Sequence, residues 1–219
     1  MSQTHQIPIF PLPNVVHFPR TDLRLHIFEP RYRALIRDLE QLDESDRLIG
    51  MVLTHSGEED LGGSPPVYES GTAGLVRDID YLTDGRSNIL IEGQFRFRIE
   101  AELDPEPYRR ALVAPLLETA LHYADDRARC YEILDLVHYL EASSPSMPTV
   151  EDDSDGLNLE ALVNGLAAHL DLPVLAKLDL LNRDLDDRSS RVVDILHARK
   201  RVVDLLTPFR GIQADPDLS

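Results

Sequence analysis

The chain has 219 residues, 42% hydrophobic and 28% charged, with a formal net charge of −17, long enough for one large domain or two small ones around a real core. The acidic excess is −8 over residues 1–118 (20 acids against 12 Lys/Arg) and −9 over residues 119–219 (19 against 10). A field of that sign repels phosphate backbones, so no nucleic-acid partner is expected. No run approaches the ~18 apolar residues of a membrane span, and the opening MSQTHQIPIFPLP lacks the regions of a secretory leader. With a single cysteine, Cys130, and hence no internal disulfide, the expected location is the cytoplasm, away from membranes.

From Gln6 to about Glu118 the pattern is short strands and turns. Ile7–Phe10, Val15–Phe18 and Leu23–Phe28 are brief extended runs bounded by prolines, which stop helices and favour extended neighbours. Pro30 stands where a helix accepts proline, in its first turn. Tyr32, Leu35, Ile36, Leu39 and Leu42 follow at helical spacing, predicting an amphipathic helix over 30–42 that covers one opening of the sheet. Leu48–Thr54 reads as a buried strand, and the polar segment SGEEDLGGSPP as a mobile loop. Gly71–Leu82 and Asn88–Leu103 form a long hairpin around Asp84-Gly85. Phe95, Phe97 and Ile99 alternate with Arg96 and Arg98, as a half-buried antiparallel strand requires. Tyr108–Leu117 adds another strand, and closure into a small barrel would hide the edges.

After about Thr119 the period becomes helical. Ala124–Ala142 carries Tyr131, Leu134, Val137 (or His138) and Glu141 on one side, with Ile133, Leu136 and Leu140 beside it. A Ser/Pro break over 143–148 and an acidic run over 151–155 precede a second helix through Leu159, Leu162, Val163, Leu166 and Leu170. Pro173 starts a third, with Leu175, Leu178 and Leu181. Leu185–Leu206 is the longest, with Val192, Ile195, Leu196, Val202, Val203 and Leu206 expected inward, and Pro208 ends it. The expected division is 1–118 for the strand-rich part, 119–210 for the helical part, and a disordered tail over 211–219.

The opening stretch resembles the N-terminal, substrate-binding domain of Lon proteases. Matching residues are Pro8, Phe10, Pro11, Leu12, Phe18, Pro19, Leu25, Ile27, Phe28, Glu29, Arg31 and Tyr32. Further fragments follow in order: Ile49–Val52, Gly71–Ala73, Asp84–Arg86, Gly93, Arg96–Ile99, Pro107–Tyr108, Leu172–Val174, Lys177, Leu180–Leu181 and Arg188. The resemblance implies an α+β chain, a PUA-like small β-barrel with one covering helix followed by an α-helical bundle. It also implies a stand-alone domain without the parts that make Lon an enzyme.

The residues agree that catalysis is not expected. Neither lysine, Lys177 or Lys200, follows a glycine-rich loop of the kind that cradles phosphates. Lys177 lies among leucines and Lys200 in an Arg-Lys-Arg run, so both read as solvated helix residues rather than partners of a nucleophilic serine. His26-x-x-Glu29 and His122-x-x-Asp125 are too sparse for a metal site. Glu151-x-Asp153-x-Asp155 begins like a calcium loop but has Leu162 where a bidentate glutamate belongs. No cofactor or metal is therefore expected. Arg20, Arg24, Arg31, Arg33 and Arg37 read as solvated arginines balancing nearby acids.

The expected function, following the resemblance, is a non-catalytic module that recognises unfolded or exposed polypeptide segments along the seam between barrel and bundle. Phe18, Phe28, Tyr32, Phe95 and Phe97 are the aromatic candidates for that contact, each of them equally suited to the core. Glu29 and Arg31 flank Pro30, where Glu29 either receives the helix's first amides or pairs with an arginine. The rival readings are an adaptor docking on a separate protease or chaperone and, opposed by the charge, an RNA-binding protein.

Overall fold

The computed structural model describes residues 4–55, 65–104, 107–118, 123–142 and 158–207. Strands β1 (His5–Leu12), β2 (Asp22–Ile27), β3 (Leu48–Thr54), β4 (Val67–Tyr81), β5 (Ser87–Leu103) and β6 (Arg110–Pro115) form one mixed sheet in the order β2-β5-β4-β3-β1-β6. Strand β5 closes it. Its first half pairs with β2 and its second half with β6, so the far end of the sheet returns to the strand next to its start. Helix α1 (Pro30–Leu39) lies between β2 and β3, and α2 (Tyr123–Glu141), α3 (Leu159–His169), α4 (Val174–Asn182) and α5 (Leu185–Leu206) follow the strands.

Prolines sit inside β1 because each half of that strand has one ladder partner. His5–Pro8 pair antiparallel with β6 and Ile9–Leu12 pair parallel with β3, so a missing N–H at Pro8 or Pro11 falls where a strand tolerates it. The run Val15–Phe18, expected to be extended, belongs to no strand. It crosses the sheet, held by Thr72 Oγ1 donating to His17 O at 2.6 Å and Thr21 Oγ1 donating to Phe18 O at 2.7 Å. At its end Arg20 takes a φ of 60° and donates its N–H to Gly93 O at 2.8 Å. The crossing is so close that a Cβ on Gly93 would stand 2.1 Å from Phe18 O. The Asp84-Gly85 turn forms as expected, with Gly85 at φ 79°.

Three apolar clusters result. One joins α1, through Tyr32, Leu35, Ile36 and Leu39, to Ile27, Ile49, Met51, Val76, Ile89 and Ile91. A second fills the ring of strands around Phe97, with Ile7, Ile9, Val52, Ala73, Ala111 and Val113. The third is the helical core, and it reaches into the sheet through Val16, Phe18 and Leu53.

Several expected faces shift. On α2 the buried stripe is Cys130, Ile133, Leu134, Val137 and Leu140, while Tyr131 is exposed. Leu42 and Leu175 are exposed, and so are Val202 and Leu206, while Val203 between them packs on the helical core. Lys177 is not simply solvated: its Nζ donates to Ala168 O at 2.6 Å, satisfying a carbonyl at the end of α3. Burial lowers its pKa, against the opposing pull of Asp171. The loop core 56–64, the break at 143–148, the acidic run 151–155 and the tail 211–219 lie outside the described residues.

Two glycines give opposite outcomes. Gly93→Ala should destabilise the fold by ~2 kcal/mol or more, since the methyl group meets backbone. Gly165→Ala, in α3 with nothing within 4 Å of the added Cβ, should stabilise by roughly 0.5–1 kcal/mol. Urea unfolding checks both; an unchanged midpoint for Gly93→Ala contradicts the close crossing.

Candidate functional site

Strand β2 and the first turn of α1 meet at Phe28-Glu29-Pro30. Pro30 occupies the first helical position, and Glu29 O accepts from Tyr32 N at 3.1 Å and Arg33 N at 2.9 Å. The Glu29 side chain does not cap the helix. It accepts instead from Arg31 Nε at 2.8 Å, in a pair whose side chains stay 38% and 33% exposed. Arg31 then lies over Tyr32, 4.8 Å from the ring centroid, and Tyr32 stacks on Phe10 at 4.0 Å. Phe28 points outward at 59% exposure, its ring stacked on His26 at 6.2 Å.

Adjoining His26 is an open groove of about 520 Å³ lined by Arg24, Leu25, His26, Asp78, Asp80, Asn88, Ile89 and Leu90. His26 Nδ1 and Asn88 Oδ1 are 2.8 Å apart and Arg86 Nη1 is 3.4 Å from His26 Nε2, so both ring nitrogens have polar neighbours. Among the described residues no group of three His, Cys, Asp or Glu is placed to hold a metal ion. Arg86 is tied to Asp84 at 2.6 Å, and hydrogen bonds from Arg86 hold the Asp84 carboxyl down at about 2. Groove, His26 and Phe28 form one continuous accessible face.

The other aromatic candidates are elsewhere. Phe97 fills the ring of strands and is 0% exposed. Phe95 is half-buried beside it, 5.7 Å from His5. Tyr32 is buried beneath α1. Phe18, also 0% exposed, plugs the seam where peptide binding was expected. Phe28, Glu29 and Arg31 are thus brought together at the surface, while Phe18, Tyr32 and Phe97 support that surface from within.

The seam is also closed by polar residues that local patterning missed. Arg96 of β5, expected on an outer face, is 4% exposed, and Arg188 of α5 is 0% exposed. Both converge on Glu118 Oε1: Arg188 Nη2 donates to it at 2.6 Å, and Arg96 Nε lies 2.8 Å away, off the donor axis, as an ion pair. Arg96 Nη1 donates to Leu181 O and Arg183 O, both at 2.7 Å, and Arg188 Nε donates to Leu180 O at 3.1 Å. Arg188 also donates to Asn164 Oδ1, and Asn164 Nδ2 to Pro19 O at 3.1 Å. Two guanidiniums thereby serve the carbonyls at the C-terminal end of α4, where the helix dipole is negative. Burial, then the neighbouring Arg188 charge, pull the Arg96 pKa down, with Glu118 opposing.

Removing Glu118 leaves two buried cations facing each other. Glu118→Ala should cost ~3 kcal/mol or more, whereas Glu29→Gln, at a half-exposed pair, should cost under ~1 kcal/mol. Denaturant unfolding of both variants checks the contrast; equal losses contradict it.

A family model described as the ATP-dependent protease La (LON) substrate-binding domain matches residues 6–198. A Lon protease 2 of Myxococcus xanthus is 26% identical over 208 residues, covering 91% of this chain and 24% of that protein. A Lon protease of Anaeromyxobacter dehalogenans is 24% identical over 210 residues, again 91% and 24%. The chain thus spans about a quarter of the length of these relatives. Among solved structures, the N-terminal domain of a Mycobacterium avium complex Lon protease superposes with TM-score 0.64 at 15% identity, over 88% of this chain and 98% of that one. A Lon N-terminal domain protein from Xanthomonas campestris gives 0.60 at 21% identity, over 87% and 98%. With the same fold and a family match along almost its whole length, the chain belongs to the Lon substrate-binding domain family.

Proposed function

We propose that the protein is a non-catalytic recognition module that binds unfolded or exposed polypeptide segments, and that the face around Phe28 makes the contact. The single observation that carries this reading is Phe28 itself. A phenylalanine left 59% exposed at the junction of β2 and α1, beside an open groove, offers apolar area with polar groups around it, as peptide-binding surfaces do. Family membership supports the same conclusion, since the family is described by substrate binding. The return of β6 onto β5 supports reading the strands as a small PUA-like barrel whose rigidity presents this face. A formal charge of −17 disfavours nucleic acid. Among the described residues no helix is long and apolar enough to cross a membrane.

A second reading, an adaptor docking on a separate protease or chaperone, draws on Val202, Leu205 and Leu206, which are exposed together near the end of α5. The two readings separate by mutation. Fluorescence anisotropy with reduced, carboxymethylated lactalbumin should show saturable binding that Phe28→Ala weakens at least ~5-fold, the value of one buried aromatic contact. The melting temperature should remain unchanged. No binding at high micromolar protein rejects the recognition reading; loss on Leu205→Ser with Phe28→Ala silent favours the adaptor.

A further inference from the structure

Strand β2 has a sheet partner on one side. It pairs with β5 from Asp22 opposite Glu92 to Ile27 opposite Ser87, and among the described residues no backbone group bonds to its other edge. The phase of that edge follows from one bond: Gly93 N donates to Thr21 O at 2.9 Å. Antiparallel ladders alternate, so Leu23, Leu25 and Ile27 turn their peptide groups to β5, while Asp22, Arg24 and His26 turn theirs outward. Unpaired N–H and C=O groups in a row are a template for a further strand.

The side chains along this edge define what fits. Leu23 and Leu25 are partly buried against the core beneath α1, and a strand laid beside them extends that apolar layer. The opposite face carries Asp22, Asp78 and Asp80, none of which is in an ion pair among the described residues, while Arg77 and Arg86 are bound to Glu92 and Asp84. Arg24 offsets these acids in part. With −17 overall, the field still favours positive segments.

We propose that β2 captures an extended, cationic polypeptide segment by strand addition, with alternate apolar side chains beside Leu23 and Leu25 and lysine or arginine on the acidic face. The proposal rests on the polypeptide-recognition reading and specifies how the segment is held. Phe28, stacked on His26, then stands at the end of the added strand on its cationic face, where its ring receives a lysine or arginine side chain.

The test uses the full chain and a dye-labelled decapeptide alternating lysine and valine. In strand addition the segment uses every second N–H, so N-methylation of one alternate set should weaken binding at least ~10-fold, several backbone bonds being lost, and methylation of the other set should not. Arg24→Pro removes an outward N–H and should abolish binding, while Arg24→Ala keeps the N–H, takes a cation off the acidic face, and should bind more tightly than the parent. Because the proline variant risks misfolding, the N-methylated peptides on the parent protein provide the independent readout. A glutamate–valine decapeptide should bind at least ~10-fold more weakly, the difference shrinking with salt.

Equal effects from the two methylation sets overturn the edge assignment, and equal binding of the acidic peptide overturns the charge class. A concentration-dependent dimer in sedimentation, abolished by Arg24→Pro and indifferent to peptide, shows instead that the edge pairs with a second copy. If denatured lactalbumin binds and no decapeptide does, this inference falls alone; if neither binds, the recognition reading falls with it.

Discussion

The structure depends on one half-buried carboxylate placed between two buried arginines. Glu118 follows β6, Arg96 comes from the middle of β5, and Arg188 from the first turns of α5. Each charge is costly to bury alone, and the arrangement is tolerable because nearly every donor finds an oxygen. The carbonyls at the end of α4 accept from both guanidiniums, so the negative end of that helix supplies much of what a second carboxylate would have supplied. Strands and helices are thereby locked in one relative position, with Asn164 tying α3 to the crossing segment at Pro19. Arg20 adds a link in the same region, its Nε 3.0 Å from Glu160 on α3.

That joint is the reason the proposed recognition face lies away from the seam. Phe18, Arg96 and Arg188 are buried between sheet and helices. The open edge is at the other end of β5, where β2 pairs with its first half and α1 covers one face. A stiff, polar-locked joint at the middle of a 17-residue strand and an unfinished edge beside its first residues is a workable division for a binding module, because a rigid scaffold lowers the ordering cost of the bound segment. His17 fits this scheme as structure. Its Nε2 bonds Thr21 O at 2.9 Å, and burial lowers its pKa, holding it neutral beneath the crossing segment.

Much of the fold was legible because its elements are periodic. Phe95, Phe97 and Ile99 do share a cluster, Pro30 does open α1, and α5 has the bounds its pattern predicts. Local pattern failed where burial is decided by distant residues. Alternation placed Arg96 opposite Phe97 correctly, but it carries no information that helices 85 and 87 residues away will cover that face. Val202 and Leu206 continue the helical spacing of α5 yet are exposed, while Val203 packs on the helical core. The junction Phe28-Glu29-Pro30-Arg31 was legible as a joint; that Phe28 stays outside and Tyr32 goes in reflects the direction in which β2 delivers the chain to α1. Glu118 carried no local signal at all, since its role exists only once β5 and α5 are side by side.

On the proposed function, polypeptide is bound along the face running from Asp22 to Phe28. Backbone amide shifts of isotopically labelled protein, followed by NMR during titration with a lysine–valine decapeptide, test it most directly. The account predicts that the largest changes fall on Asp22–Phe28 and on the neighbouring groove residues Asp78, Asp80 and Asn88, with Glu118, Asn164 and Arg188 unmoved. Changes centred on those joint residues, or on Val202–Leu206 with β2 silent, contradict it.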